Sequence, residues 1–221
     1  MAAVNGRGAR VTFRDSVKVD ARSSEEATNR REQILESAQE LFADQGFRET
    51  NLNDVATQLG FRRQAVYHYF RSKEEILYEL IDRAGAAMEA SAQPTFDAEL
   101  SPREMLAELV RNHVRQLLNN AEIFRIQFAE LSKLTSDRAD ALRRDMARYV
   151  RRIGKVIEAG QKDGSFIEGP PVPQALLILG MCNGTTDWYG STRSRLTIDD
   201  VADAAARIAL SGVMASNRPA S

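Results

Sequence analysis

The sequence predicts an all-α protein with a small N-terminal domain of short helices and a larger C-terminal helical domain. Apolar residues recur with helical spacing, no segment shows the sustained alternation of a β-strand, and glycines and prolines separate the periodic segments. The 221 residues are 43% hydrophobic and 28% charged, which is typical of a globular protein with a sizeable core. We expect four parts, at residues 1–28, 29–80, 81–216 and 217–221.

The composition excludes several classes of protein. Cys182 is the only cysteine, so no intramolecular disulfide can form, and two histidines are too few for most metal sites. The longest apolar run, at residues 175–182, is short of the ~20 residues that a membrane helix needs. The N-terminus lacks the apolar stretch of a secretory signal. We therefore expect a cytoplasmic protein with no membrane partner, metal or other cofactor.

The first 28 residues are expected to form a flexible arm. They contain Gly6, Gly8, several serines and scattered charges, without a sustained apolar period. Basic residues slightly outnumber acidic ones in this segment. Contact with DNA is therefore the alternative to a solvated tail.

The first predicted helix begins near Arg30 and is amphipathic, with Gly46 ending it. Its apolar residues share one face; they are Ile34, Leu35, Ala38, Leu41 and Phe42.

Two short helices follow, joined by a tight turn. Asn51 lies three residues before Asp54, a spacing typical of an N-terminal cap, and Gly60 ends the second helix. A third helix is expected at residues 63–70. Two short helices across a glycine turn form a helix-turn-helix. The third helix is expected to bury Val66 and Phe70 and to expose Arg63, Gln64, Tyr67 and His68.

Cations cluster on and around the third helix, within a stretch of twelve residues (62–73) that contains no acid. A helix that enters the major groove by its N-terminal end offers its first residues to base edges and its flanks to phosphates. Arginine and glutamine side chains read guanine and adenine with paired hydrogen bonds. We expect Arg63 and Gln64 to read bases, and Tyr67, His68 and Lys73 to contact phosphates. The candidate DNA-binding residues are Arg48, Thr50, Asn51, Arg62, Arg63, Gln64, Ala65, Tyr67, His68 and Lys73.

The C-terminal part predicts a series of longer helices. One begins at the Ser72–Glu75 capping box, and Pro94 and Pro102 bracket a polar connection after it. Further helices are expected at about residues 105–118, 121–134, 137–162, 173–189 and 198–215.

Several motifs between Arg30 and Leu80 occur in one register without a gap. They are Ala38-x-x-Leu41-Phe42-x-x-x-Gly46, Thr50–Ala56, Leu59–Phe61, Ala65–Phe70 and Ser72–Glu75. Together they resemble the N-terminal domain of TetR-family transcriptional regulators. The family usually has Ser-Lys-Gly where this chain has Arg62-Arg63-Gln64, which suggests a distinctive operator.

The resemblance implies a homodimer whose helix-turn-helix domains, at residues 29–80, bind a pseudo-palindrome in double-stranded DNA. It implies that residues 81–216 dimerise and bind a small effector that releases the DNA. We expect the last two helices to form the dimer interface, because Gly180-x-x-x-Gly184 and the alanine-rich residues 201–210 permit close helix approach. Ordinary packing is the alternative for the alanine-rich helix.

An effector site is also expected in the C-terminal domain. Aromatic and soft apolar residues interleaved with polar ones are typical of a small-molecule site, and ordinary core packing is the alternative for each of them. The candidate ligand-binding residues are Phe124, Arg125, Phe128, Tyr149, Met181, Asn183, Asp187 and Trp188.

Residues 187–189 and 196–201 resemble the TetR branch that governs fatty-acid and steroid breakdown. That resemblance implies a hydrophobic or CoA-thioester effector. The residues that could pair with its phosphates are Arg125, Arg148, Arg151 and Arg152.

The sequence thus favours a ligand-responsive transcriptional regulator, with repression as the expected direction. An enzyme that uses Cys182 or a pair of carboxylates is disfavoured, because no nucleophile, base and orienting group occur together in a recognisable pattern. A helical adaptor that binds protein through an apolar C-terminal face is the other alternative. His113 is expected to be an ordinary satisfied or half-exposed histidine rather than a ligand contact.

Overall fold

The computed structural model describes residues 13–131, 137–190 and 196–214, with side chains from residue 26 onward. Over these ranges the protein is all-α, as predicted, and an isolated bridge between Phe166 and Met214 is the only pairing of extended backbone. The helices are α1 (Phe13–Asp44), α2 (Leu52–Gln58), α3 (Arg63–Tyr69), α4 (Lys73–Asp97), α5 (Pro102–Asn119), α6 (Ala121–Glu130), α7 (Asp137–Lys162), α8 (Pro171–Asn183), α9 (Thr185–Trp188) and α10 (Ile198–Val213). None of these helices is long and apolar enough to cross a membrane.

The chain divides into two compact units, with the boundary after Lys73. In the N-terminal unit, α2 packs against both α1 and α3. Gly46 and Gly60 end α1 and α2 with φ of 90° and 65°, which a glycine adopts without the steric cost of a side chain. The fully buried residues of this unit include Ile34, Leu35, Val55, Val66 and Phe70.

Helix α1 begins at Phe13, which corrects the flexible arm expected over residues 13–28. This segment contains neither glycine nor proline. A helix that is already nucleated extends at the cost of fixing one residue for each new hydrogen bond, so it can continue through a segment whose sequence has no sustained apolar period. The remainder of the predicted arm, residues 1–12, and the predicted tail, residues 217–221, lie outside the described residues.

In the C-terminal unit, α5 is the central helix and packs against α6, α7, α8, α9 and α10. Helices α5 and α10 begin at capping boxes formed by Ser101 with Glu104 and by Thr197 with Asp200. The largest fully buried side chains on α5 and α7 are Leu106, Leu109, Leu117, Ile153 and Ile157.

Helix α4 and the predicted helix at 173–189 differ from the prediction by more than their end residues. Helix α4 continues through Pro94 to Asp97. The proline removes only one backbone donor, and the burial of Ala92 and Thr95 beside it offsets this loss. The predicted helix at 173–189 is divided into α8 and α9. The hydroxyls of Thr185 and Thr186 donate to carbonyls three residues earlier (2.7 and 2.9 Å), in competition with regular helical hydrogen bonds.

Candidate functional site

Helix α3 separates its residues between the interior and the surface as predicted. Val66 and, at the helix end, Phe70 are buried, whereas Arg63, Gln64, Tyr67 and His68 are exposed. The four exposed positions are spaced i, i+1, i+4 and i+5 and therefore lie on one face of the helix. Arg62 before the helix is also exposed, and Ala65 is half-buried.

Arg63 is held along the surface of α3 by Tyr67. Its guanidinium carbon lies 5.0 Å from the centre of the Tyr67 ring, and Nη2 donates to the Tyr67 hydroxyl at 3.3 Å. A guanidinium group has five N–H donors, so most remain available for a base or a phosphate. Stacking on the ring reduces the conformational freedom that Arg63 would lose on binding.

Asn51 caps α2, which confirms the predicted cap. Its side-chain oxygen accepts hydrogen bonds from the backbone N–H groups of Asn53 (2.8 Å) and Asp54 (3.3 Å). In return, the Asp54 carboxylate accepts from the backbone N–H of Asn51 (2.8 Å). Because the cap uses the oxygen, the side-chain NH₂ is the part of Asn51 that can meet DNA.

The position of Thr50 argues against the expected contact of its side chain with DNA. Thr50 is only 1% exposed, and its hydroxyl donates to the carbonyl of Gly46 (2.8 Å) while accepting from Nε2 of Gln45 (3.2 Å). These bonds close the segment between α1 and α2, residues 45–51. Thr50 therefore stabilises this segment from inside.

Lys73 also binds the α1–α2 segment. Its ammonium group donates to the carbonyl oxygens of Phe47 (2.7 Å), Arg48 (2.7 Å) and Thr50 (2.9 Å) and lies 4.7 Å from the centre of the Phe47 ring. An ammonium group has three N–H donors, so all of them are used. This geometry argues against the expected phosphate contact. Arg48, whose carbonyl Lys73 holds, has an exposed side chain.

The candidate ligand-binding residues fall into a buried and an exposed group. Phe124 and Tyr149 are buried, and Met181 and Asn183 are half-buried. The Phe124 ring stacks on that of Phe128, with 6.2 Å between the ring centres. The exposed members are Arg125, Phe128, Asp187 and Trp188.

Tyr149 and Asn183 meet at His113, a residue that was not expected to bind ligand. Nε2 of His113 lies 3.0 Å from Oδ1 of Asn183, and the His113 and Tyr149 rings stack with 5.7 Å between centres and 18° between planes. His113 is 6% and Tyr149 8% exposed. Within the described part of the chain, neither Nδ1 of His113 nor the Tyr149 hydroxyl has a hydrogen-bond partner.

A signal for His113 was present in the sequence. His113 continues the apolar face of α5 formed by Leu106, Leu109, Val110 and Leu117, where an imidazole must be buried. A polar residue in such a position requires a partner. The partner Asn183 is 70 residues away, and no local pattern connects the two.

Burial keeps this cluster uncharged. It lowers the pKa of His113 to about 4, against the opposing effect of the bond to Asn183, because desolvation disfavours the imidazolium. Burial likewise raises the pKa of Tyr149. It also raises the pKa of the adjacent Cys182 to about 12, so this thiol is not a nucleophile near neutral pH.

The arginines considered for phosphate binding differ in the ion pairs and hydrogen bonds that they already form. Arg152 pairs with Glu89 and donates to Gln93 (2.9 Å), and Arg148 pairs with Asp145. Arg125 lies 3.9 Å from Glu122, a loose and exposed pair, and Arg151 is exposed. Arg125 and Arg151 are therefore the better candidates for an effector phosphate.

In the described ranges, no three His, Cys, Asp or Glu side chains are grouped as metal ligands would be.

Comparison with known proteins matches both units to family models. Residues 34–80 match the model described as bacterial regulatory proteins, tetR family, and residues 99–213 match the tetracyclin repressor-like C-terminal domain. The HTH-type transcriptional repressor KstR2 of Rhodococcus jostii is 27% identical over 84% of this chain and 92% of its own length. The fatty acid metabolism regulator protein of Bacillus subtilis is 23% identical over 71% and 81%.

Solved structures share this fold, and two of them illustrate the likeness. The ketosteroid transcriptional regulator KstR2 of Mycobacterium tuberculosis has a TM-score of 0.77 at 24% identity and covers 85% of this chain and 96% of its own. AibR in complex with isovaleryl coenzyme A and operator DNA has a TM-score of 0.73 at 21% identity and covers 81% and 97%. At these identities the likeness concerns the fold alone. The relatives bear out the predicted resemblance to the fatty-acid and steroid branch.

Proposed function

Because the chain belongs to the tetR family of bacterial transcriptional regulators, we propose that it is a repressor that binds a pseudo-palindromic operator as a homodimer and leaves it when an effector binds. The observation that carries the proposal is the exposed face of α3. Arg63, Gln64, Tyr67 and His68 occupy it, and Arg62 precedes it. In a helix-turn-helix, the second helix enters the major groove and presents such a face to base edges and phosphates.

The α1–α2 segment supports this mode of binding. Lys73 and Thr50 hold its carbonyl groups, and Asn51 begins α2. The exposed Arg48 side chain and the Asn51 amide are therefore presented from an ordered backbone. Groups of this kind fix the register of a protein on DNA through phosphate contacts.

The homodimer is supported by an exposed apolar surface on α8 and α10. These helices pack against each other, and Leu176, Leu177 and Ile208 are 54%, 76% and 60% exposed. Gly180 lies on the same face of α8 as Leu176 and Leu177, and a Cβ added to it would meet no atom within 4 Å. A second copy could therefore approach closely and cover this surface. Symmetry also doubles the small DNA interface of a single helix-turn-helix.

For the effector we propose a hydrophobic or CoA-thioester molecule bound in the C-terminal unit. AibR, which shares the fold, is described in complex with isovaleryl coenzyme A and operator DNA, and the relatives include a fatty acid metabolism regulator. Release follows if the effector binds more tightly to a conformation whose two α3 helices no longer fit half-sites about 34–36 Å apart.

The proposal is tested by selecting bound fragments of the source genome with the purified protein. We expect enrichment of a palindromic site whose affinity falls steeply with salt. Arg63→Ala should weaken binding to this site by about 1–3 kcal/mol and relax the preference at one base position in each half-site.

Arg103→Ala is the matched control, because it removes an exposed arginine from the C-terminal unit. It should leave the affinity for the selected site unchanged. Equal losses on the selected site and on random DNA would refute base reading by Arg63. Absence of any enriched site at low salt would refute the proposed function.

A further inference from the structure

Within the described residues of the C-terminal unit, two buried polar atoms lack a hydrogen-bond partner and lie on rings that stack. They are Nδ1 of His113 on α5 and the hydroxyl of Tyr149 on α7. Both side chains are more than nine-tenths buried. The large majority of buried side-chain polar atoms in proteins have a hydrogen-bond partner, so two unpartnered atoms on stacked rings call for an explanation.

Asn183 determines whether Nδ1 of His113 needs a hydrogen-bond donor or an acceptor. Its Oδ1 can only accept, so the hydrogen of the neutral imidazole is on Nε2, which donates to it at 3.0 Å. Nδ1 then carries a lone pair and needs a donor. Carbonyl, ether and thioester oxygens are acceptors and cannot satisfy it.

The charge of the side chains near His113 further restricts the chemical group that can bind there. The polar groups described at His113 are the amide of Asn183 and the phenol of Tyr149, and the thiol of Cys182 near Tyr149 is buried and protonated. No carboxylate is among these neighbours to compensate a buried cation such as an ammonium donor, whose desolvation is costly. An uncharged hydroxyl group both donates, as His113 requires, and accepts from the Tyr149 hydroxyl.

We propose that His113 and Tyr149 bind a hydroxyl group on the apolar part of the effector, with Asn183 as the positioning residue that fixes the imidazole tautomer. The inference rests on the proposed function, because it specifies the chemistry of the effector. It selects hydroxylated apolar molecules over the ketones, ethers and hydrocarbons of the same skeleton.

The test measures direct binding of matched probes to the full-length protein by calorimetry, in two arms. One arm uses 1-decanol, its methyl ether and decane; the other uses a 3-hydroxysteroid, its methyl ether and the 3-ketosteroid. In at least one arm we expect the alcohol to bind about fivefold to tenfold more tightly than its ether, the difference made by one hydrogen bond to a neutral acceptor. The arm that shows it identifies a linear or a polycyclic skeleton.

Tyr149→Phe is the informative variant. It removes only the unpaired hydroxyl and keeps the ring that stacks on His113, so the unliganded variant should be at least as stable as the wild type. The preference for the alcohol should shrink by about threefold or more. A drop in the melting temperature without a change in alcohol preference would instead assign the hydroxyl a purely structural role and overturn the proposal.

A spectroscopic measurement follows His113 itself. With ¹⁵N-labelled histidine, the Nδ1 resonance should shift toward the hydrogen-bonded position when the preferred alcohol is added and should not shift with its ether. Equal binding of all probes, no binding of any alcohol, or an unchanged Nδ1 resonance would mean that ordered water satisfies these atoms, and would overturn the proposal. Operator binding, measured separately, would still decide the proposed function.

Discussion

At the scale of single residues, the ammonium group of Lys73 links the first turn of α4 to the segment before α2. Its three N–H groups donate to three backbone carbonyl oxygens of that segment. Among the hydrogen bonds described above, no other cation binds these oxygens. The backbone that presents Arg48 and Asn51 therefore depends on a side chain far along the sequence. Its role in DNA binding would be indirect.

Lys73→Met provides a test, since methionine keeps an unbranched side chain and loses the three donors. We expect unfolding to become easier by roughly 1–3 kcal/mol and operator affinity to fall. The slope of log K against log salt should not change, because no phosphate contact is lost. A true phosphate contact would reduce the slope by about 0.9 per subunit.

Arg62→Ala is the comparison for that experiment, because Arg62 is exposed at the start of α3. If it contacts phosphate, its variant should show the reduced slope at unchanged stability. A reduced slope for Lys73→Met would restore the direct contact.

His113 gives the stability of the protein a defined pH dependence. Its pKa is about 4 in the folded protein, against an ordinary value of 6.5 when unfolded, so the unfolded chain takes up the proton first. Stability contributed by the neutral imidazole is complete above pH 6.5 and decreases by about 3 kcal/mol as the pH falls to 4.

The measurement is chemical denaturation of the wild type and of His113→Phe between pH 4 and 7.5. Carboxylates titrate in both proteins, so the difference between the two curves isolates the histidine. A difference that does not vary with pH would show that the imidazole is not buried in neutral form.

At the scale of helices, Gly160 on α7 is a point of close approach. The ring of Phe166 lies directly on it, and the backbone N–H of Phe166 donates to the Gly160 carbonyl at 2.9 Å. A Cβ at this position would overlap the buried ring. Gly160→Ala should therefore destabilise the C-terminal unit by about 1–3 kcal/mol, measured as a lower melting temperature.

Gly85→Ala on α4 is the matched control, because a Cβ there would meet no atom within 4 Å. The same substitution should raise stability by about 0.5–1 kcal/mol through the lower flexibility of the unfolded chain. A similar gain in both variants would mean that helix propensity, rather than the Phe166 ring, sets the effect at Gly160.

Helices could be predicted from sequence where local chemistry determines them. Gly46, Gly60 and the Asn51–Asp54 cap mark the ends of short helices within a few residues, and the exposed face of α3 follows from its periodicity. Pro94 was misleading because packing at the end of α4 outweighs one lost backbone bond. The roles of Thr50 and Lys73 could not be predicted, since both depend on which carbonyl groups the folded α1–α2 segment turns toward them.

At the scale of the whole molecule, the exposed leucines of α8 are the feature to test for dimer formation. Leu177→Glu places a charge where the proposed interface would bury it. We expect the dimer to weaken by about 2 kcal/mol or more, seen as a shift toward monomer in sedimentation, with a parallel loss of operator affinity.

Leu100→Glu is the control, because it introduces the same charge at an exposed leucine outside α8 and α10. It should leave the sedimentation profile unchanged. Dimers that persist in Leu177→Glu would exclude this surface as the interface and leave it available to a partner protein.

Cys182 offers a way to observe the opening of the C-terminal unit in the intact molecule. Its thiol is completely buried and its pKa is about 12, so a thiol-reactive reagent can reach it and find a thiolate only after the surrounding helices separate. Because the chain has no other cysteine, the modification rate reports a single opening equilibrium without any engineered label. An effector that binds the folded C-terminal unit should slow this reaction in proportion to its occupancy, which makes the native thiol an assay for ligands of unknown identity.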